Sequence, residues 1–354
     1  MQNFSKQDWV INGIVFLLLC FGLSAIYSAS PDNFYRQAIF CLIGFVLMFL
    51  VSRINYHNLK NYTLLLYCLA IILLLLVLVF GHKIRGASSW FNLGKFGFQP
   101  VELAKLIMII VLAKYFSQNS HNIYKWRTII TSALYLILPV GLIFLQPDMG
   151  SAFVFIVIWL GINLAAGIRL KHLCIIFLIL IITASASWYF LLKDYQKNRF
   201  IVFLNPALDP LGRGYNIIQS IIAVGSGSFF GNGLGYGSQS RLDFLPEQHT
   251  DFIFAAIAEE LGFIGAFFII ILFGLLFSRC FRILFKTEDN FGQFLVLGII
   301  IYLFTHVFIN IGMNIGLMPI TGIPLPMISY GGSNLLITLI AIGLLQSIRN
   351  GQTA

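Results

Sequence analysis

The acidic residues of this chain are concentrated in one segment that leads directly into a strongly apolar run. Five of its thirteen Asp and Glu residues lie between positions 241 and 262: Asp243, Glu247, Asp251, Glu259 and Glu260. The apolar run FIGAFFIIILFGLLF begins at position 263. Carboxylates at the edge of a bilayer or inside it are costly unless they are paired or hydrated, which makes them functional candidates. We therefore expect the chemistry of this protein to lie in this segment.

Asp251 is the candidate for proton transfer. It follows His249 and Thr250, four residues after Glu247, where a long glycine-containing stretch ends and an apolar run begins. Partial burial there would raise the pKa of the carboxyl group toward the range of a general base. Asp is also a frequent amino-terminal cap of helices, so a capping role competes with the catalytic one. Glu247 and His249 are its polar neighbours and are predicted to contact a substrate.

Glu259 and Glu260 lie deeper in the same apolar run. On a helix, adjacent residues are about 100° apart, and eight residues beyond Asp251 correspond to about 12 Å of depth. The two carboxylates cannot share one helix face. At least one is expected to pair with a buried cation or a polar stripe, in a structural role or in a cavity.

A second charged constellation is Glu102 and Lys105 in the run FQPVELAKLIMIIVLAKYF. The three-residue spacing puts both on one helix face, and Pro100 fits the first turn of that helix. One interpretation is an internal ion pair that orients helices. The other is a charged cavity wall, with Lys105 available to an anionic group of a substrate. The two are compatible.

Three further polar sites have structural alternatives. Asp148 in QPDMGSA lies in a tight turn and fits a helix cap. Ser333 follows two glycines at the start of the last helix, where free amides could contact an anion. Asn310 lies in the i, i+4, i+8 stripe with His306 and Asn314, which hydrogen bonds between helices would explain without a ligand.

The composition predicts that these residues are positioned by transmembrane helices. The chain of 354 residues is 59% hydrophobic and 10% charged, with a mean hydropathy of +0.90. Apolar runs of about the ~20 residues that cross a bilayer recur ten times: 10–29, 35–52, 62–80, 98–116, 128–145, 150–167, 172–192, 252–278, 292–314 and 333–347. We expect an all-α polytopic membrane protein with about ten transmembrane helices. Residues 1–354 are expected to form one integral-membrane domain with no separate soluble domain.

The basic residues predict the orientation. If the amino terminus is inside, twelve of them fall in inner segments: Lys6, Arg53, Lys60, Lys114, Lys125, Arg127, Arg169, Lys171, Arg279, Arg282, Lys286 and Arg349. This bias favours both termini in the cytoplasm. The net charge of +9 is then mainly a topology signal. Because the basic residues are spread along the inner loops, nucleic acid is not an expected partner.

Two predicted outer segments interrupt the helical pattern. Residues 193–250 form a long glycine-containing loop between helices 7 and 8, and residues 315–332 form an uncharged loop rich in Pro and Gly before helix 10. Non-helical backbone at membrane depth must be buried in protein or line a wet cavity, so the second loop is predicted to be re-entrant or to line a cavity. The run GSGSFFGNGLGYG lacks the strand and the GK[ST] motif of a nucleotide-binding loop.

Several segments together resemble the SEDS family of bacterial shape, elongation, division and sporulation proteins, nearly from end to end. The segments are FQPVELAKL (98–106), QPDMGSA (146–152), NPALDPLGRGYNIIQSIIAVGSG (205–227), FLPEQHTDFIFAAIAEELGFIG (244–265) and GLMPITGIPLPMISYGGSN (316–334). Within the family, TGIPLP at 321–326 resembles the rod-shape branch. The chain departs from the family pattern at Val101 and Asn334, where Ser is common.

The resemblance implies a peptidoglycan glycosyltransferase that polymerises lipid II during cell-wall elongation. It also implies a partner, a class B penicillin-binding protein that acts as transpeptidase, and an active site that faces outward from the inner membrane. By the resemblance, Asp251 matches an essential loop aspartate and Trp90 a functionally sensitive tryptophan. Glu102 and Lys105 match charged residues of a central cavity.

The expected mechanism is proton abstraction by Asp251 from the attacking sugar hydroxyl, with a lipid diphosphate as leaving group. Lys105, Arg199, Arg213 or a divalent cation (Mg or Mn) would stabilise the charge on the diphosphate. Two alternatives remain open from the sequence. One is a lipid II flippase, for which intramembrane charges would line a polar path. The other is a non-catalytic scaffold that recruits the transpeptidase.

Overall fold

The fold is a helical bundle with one small sheet. The computed structural model describes residues 7–84, 87–93, 96–190, 192, 194–210, 212–241 and 244–352. Its helices are α1 Trp9–Ala29, α2 Pro31–Val51, α3 Asn58–Phe80, α4 Pro100–Gln118, α5 Trp126–Leu145, α6 Met149–Ala165, α7 Leu170–Phe190, α8 Asp194–Leu204, α9 Arg213–Ser226, α10 Ser238–Arg241, α11 Ile253–Lys286, α12 Asn290–Asn314 and α13 Gly332–Gln352. The strands are β1 His82–Ile84, β2 Ala87–Leu93 and β3 Phe96–Phe98.

All ten predicted apolar runs form helices. Within the described ranges, eight of these helices are long and apolar enough to cross a membrane, namely α1, α2, α3, α5, α7, α11, α12 and α13. Of the other two, α6 is an apolar helix of 17 residues, and α4 has 19 residues, among them the charged pair of Glu102 and Lys105. The prediction of an all-α polytopic membrane protein is confirmed.

The core lies around α4, α12 and α13. Nearly every residue of α4 between 100 and 113 is buried, and Tyr302 of α12 is the largest of the fully buried side chains. By contrast, α7 presents almost its whole surface outward, and that surface is apolar. An apolar outer face is what lipid contact requires, whereas charge covers the outside of a water-soluble domain.

The segment 193–250 is not the single long loop that the sequence predicted. It contains the helices α8, α9 and α10. The pattern of α9 is amphipathic, with Ile217, Ser220 and Ala223 buried on one face. Hydropathy identifies helices that are long enough to cross the bilayer. These three helices are shorter than that and are separated by Gly and Pro, so the sequence predicted a loop there.

The helix α11 is broken inside the membrane-spanning part, and a segment of the preceding loop fills the break. Gly262 has φ of 66° and ψ of −168°, which interrupts the hydrogen-bond ladder. Four backbone hydrogen bonds join the two segments: Asn232 to Glu259 (3.0 Å), Gly233 to Glu260 (2.9 Å), Phe263 to Ser228 (2.8 Å) and Ile264 to Phe229 (3.2 Å). We call residues 228–233 the strap. It satisfies backbone groups that lipid could not satisfy.

The glycines beside the break are required by close approach of backbones. A Cβ on Gly227 would lie 1.9 Å from the carbonyl oxygen of Ala258, and one on Gly231 would lie 2.2 Å from that of Glu260. Gly231 also has a positive φ of 77°, a conformation that side chains disfavour. The glycine run therefore serves helix packing.

A three-stranded antiparallel sheet precedes α4, and the sequence did not predict it. In it, β2 pairs with β1 through His82 and Trp90, and with β3 through Phe91 and Phe98. The strands are only three to seven residues long, so their alternation is too short to be distinguished from a loop. The sheet places Trp90 over one end of the bundle.

Candidate active site

A cavity of about 630 Å³ opens at the end of the bundle where α4, α6 and α13 begin. Its walls come from β2, the starts of α6 and α13, helices α8 and α9, the turn before α11, and the Pro/Gly-rich loop 315–331. Five of the predicted site residues line it: Trp90, Asp148, Arg199, Glu247 and Asp251. The prediction that the 315–332 loop lines a cavity is confirmed, since Ile320, Thr321, Gly322 and Pro324 form part of the wall.

Asp251 lies in the turn two residues before α11 and is 8% exposed. The residue at the cap position of the helix is Phe252, so Asp251 does not occupy that position. Gly322, with a positive φ of 76°, lies against the carboxylate: a Cβ on it would be 3.8 Å from Oδ2 of Asp251. The turn and the re-entrant loop thus meet at this side chain.

The polar stripe of α12 holds this turn in place. Nδ2 of Asn310 donates hydrogen bonds to the backbone oxygens of Asp251 (3.2 Å) and Ile323 (2.9 Å). Nδ2 of Asn314 also donates to the Asp251 oxygen (3.1 Å), while its Oδ1 accepts from the amide of Ala255 (3.1 Å). The stripe therefore bonds to the backbone of the two segments that form the cavity wall, in addition to bridging helices.

A second set of bonds joins the turn to the end of the re-entrant loop. Oγ of Ser329 donates to the backbone oxygen of Thr250 (2.7 Å), and the amide of Tyr330 donates to that of His249 (2.9 Å). The His249 ring packs against Tyr330, with centroids 5.6 Å apart. His249 does not line the cavity, and its contacts with Tyr330 hold the two segments together.

Glu102 and Lys105 form the predicted ion pair, with 2.7 Å between Oε1 and Nζ. Both side chains are buried, and the Lys105 ammonium is also 3.1 Å from Nε2 of His306. Neither residue lines the cavity. The connection to it is Asn334, a cavity residue whose Nδ2 donates to Oε2 of Glu102 (3.0 Å). The pair therefore lies one side chain below the cavity wall.

Asp148 caps a helix, as the sequence predicts, and also lies in the cavity wall. Its carboxylate caps α6, accepting hydrogen bonds from the amide (3.0 Å) and the hydroxyl (2.8 Å) of Ser151. The same residue lines the cavity.

Ser333 connects the sheet to α13. Its Oγ accepts a hydrogen bond from the amide of Gln99 (3.0 Å) and donates to the oxygen of Gly97 (3.2 Å). Its neighbours Gly332 and Asn334 line the cavity, and Ser333 itself does not. In the sequence, Asn334 is notable only as a departure from the family motif. Its place at the start of α13, after two glycines, was the one signal that it could face the cavity.

Of the two predicted site arginines, the structure describes the side chain of one. Arg199 projects from α8 into the cavity wall and is half-buried. Arg213 is the first residue of α9, but its side chain lies outside the described part of the chain, as does the whole of Asp243.

Glu259 and Glu260 lie away from the cavity, against the strap and the segment that follows it. Glu259 accepts a hydrogen bond from the amide of Gln239 (2.8 Å). Glu260 accepts bonds from the amide of Gly235 (3.0 Å) and from the hydroxyl of Ser28. The sequence predicts that at least one of the two pairs with a buried cation or a polar stripe; the bonds that the structure describes for them come from backbone amides and hydroxyls. The two carboxylates hold the broken helix to the outer segment and to α1.

The described residues contain no group of three or more His, Cys, Asp or Glu side chains that could hold a metal ion. Mg²⁺ often binds through only one or two carboxylates together with phosphate oxygens of the substrate. Asp251 and Glu247 are carboxylates of the cavity that fit this mode. A divalent cation would therefore enter with a diphosphate.

The family relationship follows from comparison of the whole chain. A family model described as a cell cycle protein, for FtsW, RodA and SpoVE, matches residues 8–354. The chain belongs to this SEDS family. The resemblance of motifs described above is thereby confirmed over nearly the full length.

Relatives of this SEDS protein carry three different role names. The stage V sporulation protein E of Bacillus subtilis strain 168 is 40% identical over 358 residues, covering 97% of each chain. The peptidoglycan glycosyltransferase MrdB of Escherichia coli K12 is 36% identical and covers 95% of this chain and 91% of its own. A probable peptidoglycan glycosyltransferase FtsW of Geobacter sp. strain M18 is also 36% identical, covering 98% of each.

Solved structures share the fold. A chain of a peptidoglycan synthase complex, from work on the coordination of polymerization and crosslinking, aligns with a TM-score of 0.85 and 34% identity over 98% of each chain. The rod shape determining protein RodA of Thermus thermophilus aligns with a TM-score of 0.74 and 29% identity, also over 98% of each.

Proposed function

We propose that the cavity is the active site of a peptidoglycan glycosyltransferase that polymerises lipid II, with Asp251 as general base. One observation carries the proposal: Asp251 and Arg199 line the same 630 Å³ cavity. A carboxylate and a guanidinium facing one space suit a reaction in which a hydroxyl loses a proton and a diphosphate departs. Relatives at 36% identity that bear the glycosyltransferase name support the same assignment.

The proton transfer falls to Asp251. Its backbone is held by Asn310 and Asn314, so the carboxylate is positioned before a substrate arrives. The hydroxyl of the incoming lipid II attacks the anomeric carbon of the growing glycan, and Asp251 takes up its proton as the new bond forms. A positioned general base contributes about 10²–10⁴ in rate. Attack from the side opposite the diphosphate inverts the anomeric centre.

The leaving diphosphate needs fixed positive charge. Arg199 in the cavity wall supplies a guanidinium that can bind phosphate oxygens in a bidentate manner. Arg213 is proposed as a second cation, and Lys105 adds its field from below the wall. Preorganised charge of this kind is often the largest contribution to catalysis. A divalent cation that enters with the diphosphate would add to the same stabilisation.

The remaining cavity residues are proposed to bind substrate. Trp90 offers an apolar ring at the sheet wall, and Glu247 offers a carboxylate in the same cavity. His249 supports this wall through Tyr330. The Glu102–Lys105 pair keeps Asn334 oriented toward the cavity through the bond to Glu102.

The cellular role that we propose is cell-wall elongation with a class B penicillin-binding protein as partner and with the other components of the elongation machinery. The support is the TGIPLP motif at 321–326. The relatives themselves do not distinguish the roles, because a stage V sporulation protein E, MrdB and an FtsW are all similar at 36–40% identity. A structural relative belongs to a peptidoglycan synthase complex, which supports the paired transpeptidase. We propose that both termini are cytoplasmic and that the cavity opens on the outer face of the inner membrane; the distribution of basic residues supports this orientation.

The decisive experiment is polymerisation of lipid II by the purified chain, read as glycan length on a gel, with and without its transpeptidase partner. Asp251→Asn is expected to abolish polymer, because the amide cannot accept the proton. Asp32→Asn is the matched control, since Asp32 is exposed and does not line the cavity. Polymer of wild-type length from Asp251→Asn would refute the mechanism. Lipid II transport without polymer from the wild type would support a flippase instead.

A further inference from the structure

The end of the bundle opposite the cavity carries a basic surface at the starts of two helices. Two helices, α5 and α7, begin there, and Lys125, Arg127, Arg169 and Lys171 lie at or beside their first turns, all exposed. Between positions 103 and 193 the one acidic residue is Asp148, in the cavity wall at the other end of α6. Within the described residues, none of the four basic side chains forms an ion pair.

Two aromatic contacts bring the starts of α5 and α7 together. The guanidinium carbon of Arg169 lies 5.0 Å from the ring centroid of Tyr124, and the rings of Trp126 and His172 are 4.3 Å apart. The amino terminus of a helix carries partial positive charge and ordinarily attracts acidic side chains. Here two such termini meet and hold basic residues instead. The surface is therefore complementary to an anion that the described chain does not supply.

His172 provides an independent sign of a missing ligand. Its side chain is 7% exposed, and its Nδ1 has no hydrogen-bond partner among the described residues. Buried polar atoms are nearly always paired with protein or ordered water. A phosphate oxygen or a glycerol hydroxyl beside the basic surface would pair this nitrogen.

An apolar groove begins directly beside this surface. Leu160 and Leu164 of α6 and five residues of α7 between positions 173 and 180 line a volume of about 330 Å³, and every lining residue is apolar. At ~1.5 Å per residue, the α7 residues extend from about 4 to 15 Å beyond the start of that helix. The groove therefore lies in the membrane leaflet next to the basic surface.

We infer that this is a binding site for an anionic phospholipid of that leaflet, which the basic residues predict to be the cytoplasmic one. The phosphate contacts the surface of Lys125, Arg169 and His172, and an acyl chain occupies the groove. Basic sites between transmembrane helices on the cytoplasmic side suit such headgroups. A soluble acidic protein would use the charge but not the groove. The site is separate from the proposed catalytic cavity, so its test does not depend on enzymatic activity.

The test is native mass spectrometry of the purified full-length chain, titrated with phosphatidylglycerol and, separately, with phosphatidylcholine. Phosphatidylglycerol is expected to bind more tightly. The variant K125Q/R169Q should lose about thirtyfold in affinity (about 2 kcal/mol), because each basic residue near an anionic surface contributes on the order of 1 kcal/mol. The matched control is R282Q/K286Q, which removes two exposed basic residues near the end of α11 on the same side. It should bind like the wild type.

A groove variant separates a lipid from an acidic protein. Cys174→Trp fills the groove at an exposed lining position and leaves all basic residues in place. It should weaken phosphatidylglycerol binding while the thermal midpoint stays near that of the wild type. The proposal would be wrong if the two lipids bound equally tightly, or if both double variants lost the same affinity for phosphatidylglycerol. Competition by a polyglutamate peptide with no effect of Cys174→Trp would overturn it in favour of an acidic protein partner.

Discussion

The side-chain amide of Asn314 donates a hydrogen bond to the backbone oxygen of Asp251 at 3.1 Å, across 63 positions of sequence. Asn310 donates to the same oxygen from one turn earlier on α12. Two buried amides on one rigid helix therefore hold the turn that carries the proposed general base. A catalytic group needs such support, because a displacement of about 1 Å can reduce a rate about a hundredfold.

Replacing Asn314 by Asp should lower kcat of glycan synthesis by about 10- to 100-fold with little change in KM. The carboxylate keeps the size of the side chain but cannot donate to the oxygen of Asp251. Steady-state kinetics of the purified variant give kcat and KM separately, and the thermal midpoint shows whether the variant is folded at the assay temperature. If kcat per folded molecule were unchanged, Asn314 would have only a structural role.

Removing one partner of the buried ion pair should cost more stability than removing both. Lys105→Met leaves the Glu102 carboxylate buried without its cation, which costs about 3–5 kcal/mol. The double variant Glu102→Gln/Lys105→Met removes both charges and should recover a large part of that loss. Denaturation of the protein in detergent micelles compares the three. A double variant less stable than Lys105→Met would contradict the pairing.

A methyl group should be disruptive at Gly231 of the strap and tolerated at Gly225 of the neighbouring helix α9. Gly231→Ala would place its Cβ 2.2 Å from the Glu260 oxygen at a positive φ, so the strap must separate from α11. We expect a fall in the thermal midpoint and loss of polymerisation. Gly225→Ala is the matched control, because its Cβ meets no atom within 4 Å and alanine favours the helix α9. If both variants lowered the thermal midpoint and the polymerisation equally, the contact between the strap and α11 would not be needed for the fold.

The loop before α12 should show a pH-dependent contribution to stability. Partial burial by itself would raise the pKa of Asp289, but the amide of Gly292 and the ammonium of Lys60, 3.3 Å away, bring it below the ordinary value. A lowered pKa means that the contribution is present above the pKa of the unfolded chain and fades as the pH falls through the folded value. The difference in thermal midpoint between wild type and Asp289→Asn should therefore be larger at pH 7 than at pH 3.

The residue pattern alone determined the membrane helices and the local pairs. Ten apolar runs predicted ten helices, because crossing a bilayer requires a continuous apolar length that hydropathy shows directly. The i, i+3 spacing predicted the pair of Glu102 and Lys105, and the uncharged Pro/Gly segment predicted a cavity-lining loop. These are properties of neighbouring residues, so they can be read without the fold.

Only the tertiary structure decided which distant residues meet. The bond between Asn334 and Glu102 joins positions 232 apart, and the strap joins α11 across a break that nothing in the apolar pattern marks. The sheet that positions Trp90 and the helix that positions Arg199 are too short to leave a periodic signal. Hydropathy reports whether a residue prefers lipid or protein, whereas the cavity depends on side chains and backbone atoms from separate elements meeting at specific distances.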